Sequence, residues 1–288
     1  MTAEEAAGRP EESAALQAWA NIEVDRGHID EAEPLFARLL KITPANAAAV
    51  AEMRLRAAER RVNDELYATA QELLDKAEPD LPKDRLAAVR RLQARIAAGE
   101  KNFGKARQIF ENMKRDFAAD DAAVGAAALG LADLAFREGN PAEALQQYEA
   151  IADHYGKART AGLALLAKAE IFERLARPDE QEAALRRVLT QVTPDRDLTV
   201  RARLGLADLA RERRNFPAAL TDYLAIIEDF PENDLAIWAK NGAAHVYYET
   251  KQDKDAETML KQLIAQYPSD HEAVVDAKKF LDQLYTRK

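Results

Sequence analysis

Residues 129–151, LGLADLAFREGNPAEALQQYEAI, recur 75 positions later as residues 204–226, LGLADLARERRNFPAALTDYLAI, with 13 of 23 positions identical and no gap. Self-similarity at a fixed period marks a repeat array, in which each unit packs only on its neighbours. Length then loses its usual force. A chain of 288 residues would suggest about two globular domains, but an array has no single core to outgrow. Arrays of this kind usually bind other molecules, so the repeat bears on function as well as fold.

The composition points to helices. Alanine, leucine, glutamate and arginine, all strong helix formers, dominate the chain. Almost no segment shows the Val/Ile/Thr alternation of strands. Hydrophobic residues make up 48%, aromatics 7% and charged residues 32%. A net charge of −9 and a pI near 5.2 argue against a general nucleic-acid binder and fit a soluble surface. The absence of cysteine removes disulfides, thiol nucleophiles and Cys-based zinc sites together. No run approaches 18 apolar residues, so no membrane insertion is expected. The N-terminus lacks the basic and apolar regions of a secretory signal. The expected compartment is cytoplasmic as the sequence stands, and periplasmic or envelope-associated if a leader has been removed.

The phase of the repeat can be set on a small residue. Ala32, Ala106, Ala144, Ala219 and Ala256 are separated by multiples of about 37, and each is followed four residues on by Phe36, Phe110, Tyr148, Tyr223 or Leu260. Twelve residues before each lies Ala20, Ala94, Ala132, Ala207 or Ala244. Twelve residues after stand Pro44, Pro231 and Pro268 in three units, and Ala118 and Gly156 in the other two. Small residues at one point of each helix let two antiparallel helices approach, and the large residue fills the adjacent groove. Proline ends the second helix. Between the helices lie Arg26-Gly27-His28, Glu138-Gly139-Asn140, Arg214-Asn215-Phe216 and Lys251-Gln252-Asp253, where glycine or asparagine is expected to supply the left-handed residue that closes the first helix.

On these residues the chain resembles the tetratricopeptide repeat family, whose unit has a small eighth residue, Ala at twenty, an aromatic at twenty-four and Pro at thirty-two. The segment from Gly27 to Phe36, ending at Pro44, carries the core of that motif. The resemblance spans roughly residues 13–268, with five good units and two poor ones. The tail, with Tyr267-Pro268, Ala273, Ala277 and Leu281-Asp282-Gln283-Leu284, is similar to bacterial cell-envelope repeat proteins of the CpoB and BamD type. The implied fold is all-α, a right-handed α-solenoid of about seven helix hairpins plus a C-terminal capping helix. Residues 1–12 are expected to be a flexible N-terminus, 13–268 the solenoid with a possible bend at 79–84, and 269–288 the capping helix and tail.

Two units are degenerate. Near Val50 to Ala77, Leu66 stands at the expected alanine and Ala70 at the expected aromatic, as though large and small had exchanged places. The other weak unit, 160–192, has Pro178 where the first turn of a helix accepts it. Ser269-Asp270-His271-Glu272 reads as a capping box for the last helix.

Catalytic chemistry is not visible. His28, His154, His245 and His271 have no metal-ligand spacing. Gly130 and Gly205 lie within first helices and read as close-packing points rather than a phosphate loop, and no G-x-S-x-G occurs. No enzyme, cofactor or metal is expected.

What remains is the face that, in the resembled family, the first helices turn inward. The ninth position carries over to Asn21, Leu55, Arg95, Asp133, Glu170, Asp208 and His245. Asp133, Glu170 and Asp208 would form an acidic column, with Arg137, Arg174 and Arg211 one turn away as compensating cations. The column reads either as a salt-bridged solvated face or as a stripe that recognises basic groups on a partner. Trp238 falls at an inward second position with Asn241 and His245 one and two turns on; core and groove readings both stand. Trp19, beside Ala20, reads as core. The basic clamp with which some relatives hold acidic C-termini is not expected, since Asn21 fits but Gln17, Glu52, Ala88 and Leu92 do not. The implied function is a protein–protein interaction scaffold holding a peptide or protein segment in its concave groove. The alternative is a structural subunit of an envelope or other assembly, or a self-associating array.

Overall fold

A computed structural model describes residues 10–42, 44–268 and 271–286. Among them are fifteen α-helices and no strands. The chain divides into two compact units, residues 1–140 and 141–288.

The first unit holds α1 (Pro10–Arg26), α2 (Ile29–Ile42), α3 (Ala47–Asn63), α4 (Tyr67–Ala77), α5 (Leu86–Gly99), α6 (Phe103–Asp116) and α7 (Asp121–Arg137). Its helices pair as α1/α2, α3/α4 and α5/α6, and α7 packs on α5 and α6. The second unit holds α8 (Pro141–Tyr155), α9 (Arg159–Arg174), α10 (Pro178–Gln191), α11 (Arg196–Glu212), α12 (Phe216–Asp229), α13 (Ala236–Glu249), α14 (Asp253–Gln266) and α15 (Glu272–Thr286). There α9/α10, α11/α12 and α13/α14 pair, and α15 packs on α13 and α14. The expected hairpins and final helix are therefore present.

Each first-to-second helix turn among the described residues contains one left-handed residue, which closes the first helix. Gly27 and Gly139 supply it at φ 82° and 87°, but Glu65, Lys101, Ala176, Arg214 and Lys251 supply it in the other turns. The expectation that glycine or asparagine fills this role thus holds for two turns. At Arg214-Asn215 it is the arginine that turns left-handed, since Asn215 precedes α12 with φ −84°. Hairpin packing imposes the same turn whatever residue occupies it.

The alanines used to set the phase, Ala32, Ala106, Ala144, Ala219 and Ala256, are fully buried, as are Ala20, Ala94, Ala132, Ala207 and Ala244. The glycines of the repeated segment are contact points. A Cβ on Gly130 would lie 2.2 Å from Phe110 Cζ, and one on Gly205 would lie 3.0 Å from Leu185 Cδ1. A Cβ on Gly242 would lie 2.3 Å from Tyr223 Cζ. The large residue of each of these second helices seats against the next first helix where that helix has no side chain.

The degenerate unit near Val50 is regular in the structure, which corrects its register. Leu66 precedes α4 and is 47% exposed, whereas Ala70 and Leu74 are fully buried. Ala70 stands 38 residues after Ala32 and 36 before Ala106, and twelve after the buried Ala58. Small and large have not exchanged places; an alanine-rich segment simply admits two alignments, and burial selects one. The weak unit at 160–192 forms α9 and α10, with Pro178 in the first turn. Trp19 is corrected too. It is 55% exposed, and its indole Nε1 donates to Glu23 Oε1 at 2.9 Å.

Helix starts are held by side chains where the sequence offers acceptors. Asp120 accepts from the Ala122 and Ala123 amides, and Asp195 from the Leu198 amide. For α15, Ser269 and Asp270 of the expected capping box lie outside the described residues. His271 Nδ1 accepts from the Ala273 amide at 3.2 Å.

Candidate interaction face

The repeated LGLADLA segment on α11 places Asp208 and Arg211 nearly one turn apart. Tyr223 of α12 is fully buried, and its hydroxyl donates to Asp208 Oδ1. Arg211 Nε donates to the same hydroxyl oxygen at 3.3 Å, and Arg211 Nη2 lies 4.0 Å from Asp208 Oδ1. Burial raises the Asp208 carboxyl above the ordinary range, against the pull of Tyr223 and Arg211. Burial and the Asp208 charge push the Tyr223 phenol upward, so it remains a donor at neutral pH. Asp208 is therefore an anchor for a core hydroxyl as well as a partly exposed acid.

Glu170 on α9 is more exposed and accepts from Arg174 Nη2 at 2.7 Å, the two side chains being 58% and 61% exposed. Asp133 and Arg137 lie exposed on α7, in the first unit. Glu170 and Asp208 thus differ: the first stands in the open with Arg174, and the second holds a buried tyrosine.

Trp238, Asn241 and His245 share one stripe of α13. Trp238 is half-buried against the α13–α15 core, its ring 6.1 Å from that of His271. The His245 ring stacks on Phe280 at 4.1 Å and 9°, and Tyr248 meets the same phenyl edge-on at 5.2 Å. Burial, and next the Arg211 charge, hold His245 below its ordinary pKa, opposed by Glu249 and Asp276. Between the two rings Asn241 is only 9% exposed, and its Oδ1 has no hydrogen-bond partner among the described residues. Neighbouring Lys240 is 7% exposed; its Nζ donates to Gln266 Oε1 and lies 5.3 Å from the Tyr267 ring. Burial lowers its pKa. Sequence reasoning missed Lys240 because a helical lysine ordinarily reads as solvated.

Among the described residues no cluster of three or more His, Asp or Glu is placed to hold a metal ion, and no helix is long and apolar enough to cross a membrane.

A tetratricopeptide repeat family model matches residues 129–197 and 166–234, and a second matches 243–270. These segments are tetratricopeptide repeats. Among solved structures, apo RapI is 12% identical over 82% of this chain and 71% of its own, with a TM-score of 0.58. A signal transduction ATPase with a tetratricopeptide repeat sensor, PH0952 from Pyrococcus horikoshii, is 18% identical over 96% of this chain and 44% of its own, at 0.56. A tetratricopeptide repeat protein from Parabacteroides merdae is 16% identical over 83% and 88%, at 0.49. At these identities the likeness concerns the fold alone. None of the curated proteins matches this chain in sequence.

The tetratricopeptide register also moves one candidate. With Ala58 at the eighth position, the ninth is Glu59 and not Leu55, which is buried at 3%. Glu59 accepts from Arg91 at 2.8 Å. Arg56 takes the place assigned to Glu52, and donates to Asn21 Oδ1. Ala88 and Leu92 keep their places, so the basic clamp stays incomplete.

Proposed function

We propose that this tetratricopeptide repeat protein is a non-enzymatic adaptor that holds a peptide or protein segment along the concave face formed by its first helices. Arrays of these repeats are in general protein–protein interaction scaffolds, which supplies the class. The observation that carries the groove reading is the α13 stripe, where the partly buried Trp238 and His245 stand on either side of Asn241. Rings fixed by packing offer contact area at little entropic cost. Exposed Glu170, ion-paired with Arg174 on α9 of the same unit, adds charge that would favour basic groups on the partner.

The test is capture of an immobilised library of extended hexapeptides by the parent and by Trp238→Ala and Glu170→Lys variants. Capture lost in the tryptophan variant, and shifted away from basic peptides in the lysine variant, supports the reading. Capture by none, or equal capture by all, refutes it.

A second reading rests on a different observation. In α1, Ala15, Ala18, Trp19 and Ile22 form an exposed apolar stripe, with Trp19 at 55% and Ile22 at 47%. Such an edge suits a subunit of a larger assembly or a self-associating array. Light scattering decides here: a mass that stays monomeric across concentration removes self-association.

A further inference from the structure

The first and last of the described helices present different outer faces. On α15 the exposed positions are mostly charged or polar, among them Asp276, Lys278, Lys279, Asp282 and Gln283, as a helix facing water requires. α1 reverses this. Leu16, Ala20 and Val24 are buried, and the opposite side shows Ala15, Ala18, Trp19 and Ile22 at spacings of three and four, a second apolar stripe. The tryptophan on that stripe is held in place. Glu23 is only 9% exposed; one of its carboxylate oxygens accepts from the Trp19 indole, and the other lies 2.9 Å from His28 Nδ1. A nearly buried acid that fixes an exposed ring suits a contact surface, since the ring loses little freedom when it is covered.

We propose that this face is covered by a second copy of the same chain, the two α1 helices packing antiparallel about a two-fold axis that passes between Ala18 and Trp19. This rests on the assembly reading of the α1 edge and specifies its partner and register. Residues equally distant from the axis meet, so Ala15 comes opposite the second copy's Ile22, and Ala18 level with the second copy's Trp19. Each large side chain thereby meets a small one, which lets the helices approach and fills the space between them. A parallel pair would set Trp19 against Trp19 and Ile22 against Ile22, with a gap at Ala15. The charges select the same direction. Antiparallel pairing brings Arg26 of each copy, its side chain 64% exposed, to within one residue of the level of the other's Glu12. Parallel pairing would place Arg26 beside Arg26. One helix per copy makes a small interface, so a dissociation constant on the order of 10 μM is expected.

The test uses the full chain, whose lack of cysteine allows single thiols to report the register. Sedimentation velocity between about 1 and about 200 μM should show the parent passing from monomer to dimer. Ile22→Gln should weaken association about tenfold or more with an unchanged helical signal, and Trp19→Ala should do the same. Under mild oxidation Ala18→Cys should cross-link to its own copy. Ala15→Cys and Ile22→Cys should cross-link when mixed and not separately, because like positions lie about 10 Å apart along antiparallel helices, beyond the reach of a disulfide. Ala15→Cys linking to itself means a parallel pair and overturns the inference, as does a dimer that both Ile22→Gln and Trp19→Ala leave intact. Either result leaves self-association by another register or edge standing. A mass that stays monomeric to about 200 μM brings down both.

Discussion

The hydroxyl of Tyr223 donates to the carboxylate of Asp208, joining α12 to α11 from a fully buried ring to a partly exposed acid. The contact changes what the repeated segment means. Gly205 and Ala207 are packing points, as the pattern suggests, but Asp208 is also tied into the structure and is a poor residue for a clean charge-reversal test. Glu170, ion-paired with Arg174 on its own helix, is a better one.

Tyr223→Phe should keep the ring against Gly242 and lose the hydrogen bond alone. With a charged acceptor that is itself half-exposed, a loss of about 1–2 kcal/mol is expected in chemical denaturation. A double-mutant cycle with Asp208→Asn should show coupling; additive losses would mean the contact contributes nothing.

Gly242→Ala should destabilise the second unit by about 1–3 kcal/mol, because its Cβ would meet the Tyr223 ring. Gly104→Ala on α6 is the control, since nothing lies within 4 Å of its Cβ. There the alanine should stabilise by about 0.5 kcal/mol through helix propensity. Equal effects at the two sites in thermal melts would refute the packing account.

Ala176→Gly should stabilise the α9/α10 hairpin by about 0.5–1 kcal/mol. Alanine there holds φ 52°, a left-handed strain that glycine relieves at some entropic cost. An unchanged or lower denaturation midpoint would contradict this.

His245 should make stability depend on pH. Burial lowers its folded-state pKa, so the unfolded chain takes up the proton first. The contribution is complete above the unfolded value of about 6.5 and is lost as pH falls below it. Melting temperatures between pH 7.5 and pH 5.5 should therefore fall more for the parent than for His245→Phe; parallel curves would exclude the effect.

Local order was legible in the chain because it arises from local physics. The 37-residue spacing, the small and large positions and the turn after each first helix all follow from helical periodicity and capping, which act over a few residues. Candidate acids were found the same way, by counting along a repeat. Counting failed where alanines are frequent: Leu66 and Ala70 satisfied one alignment, and only burial showed that Ala70 and Leu74 make the contact.

The tertiary structure decided what depends on distant neighbours. Trp19 is exposed because nothing among the described residues covers that side of α1, although its own helix would suit a core. Asp208 became an anchor through a tyrosine 15 residues away, and Glu170 did not. Asn241 is buried on the α13 stripe that also carries Trp238 and His245, where a helical asparagine would ordinarily read as solvated. Helix formation is settled within a turn or two of chain, whereas burial and hydrogen-bond completion are settled between helices. The sequence determined the array of hairpins; packing determined which side chains on its faces remain available to a partner.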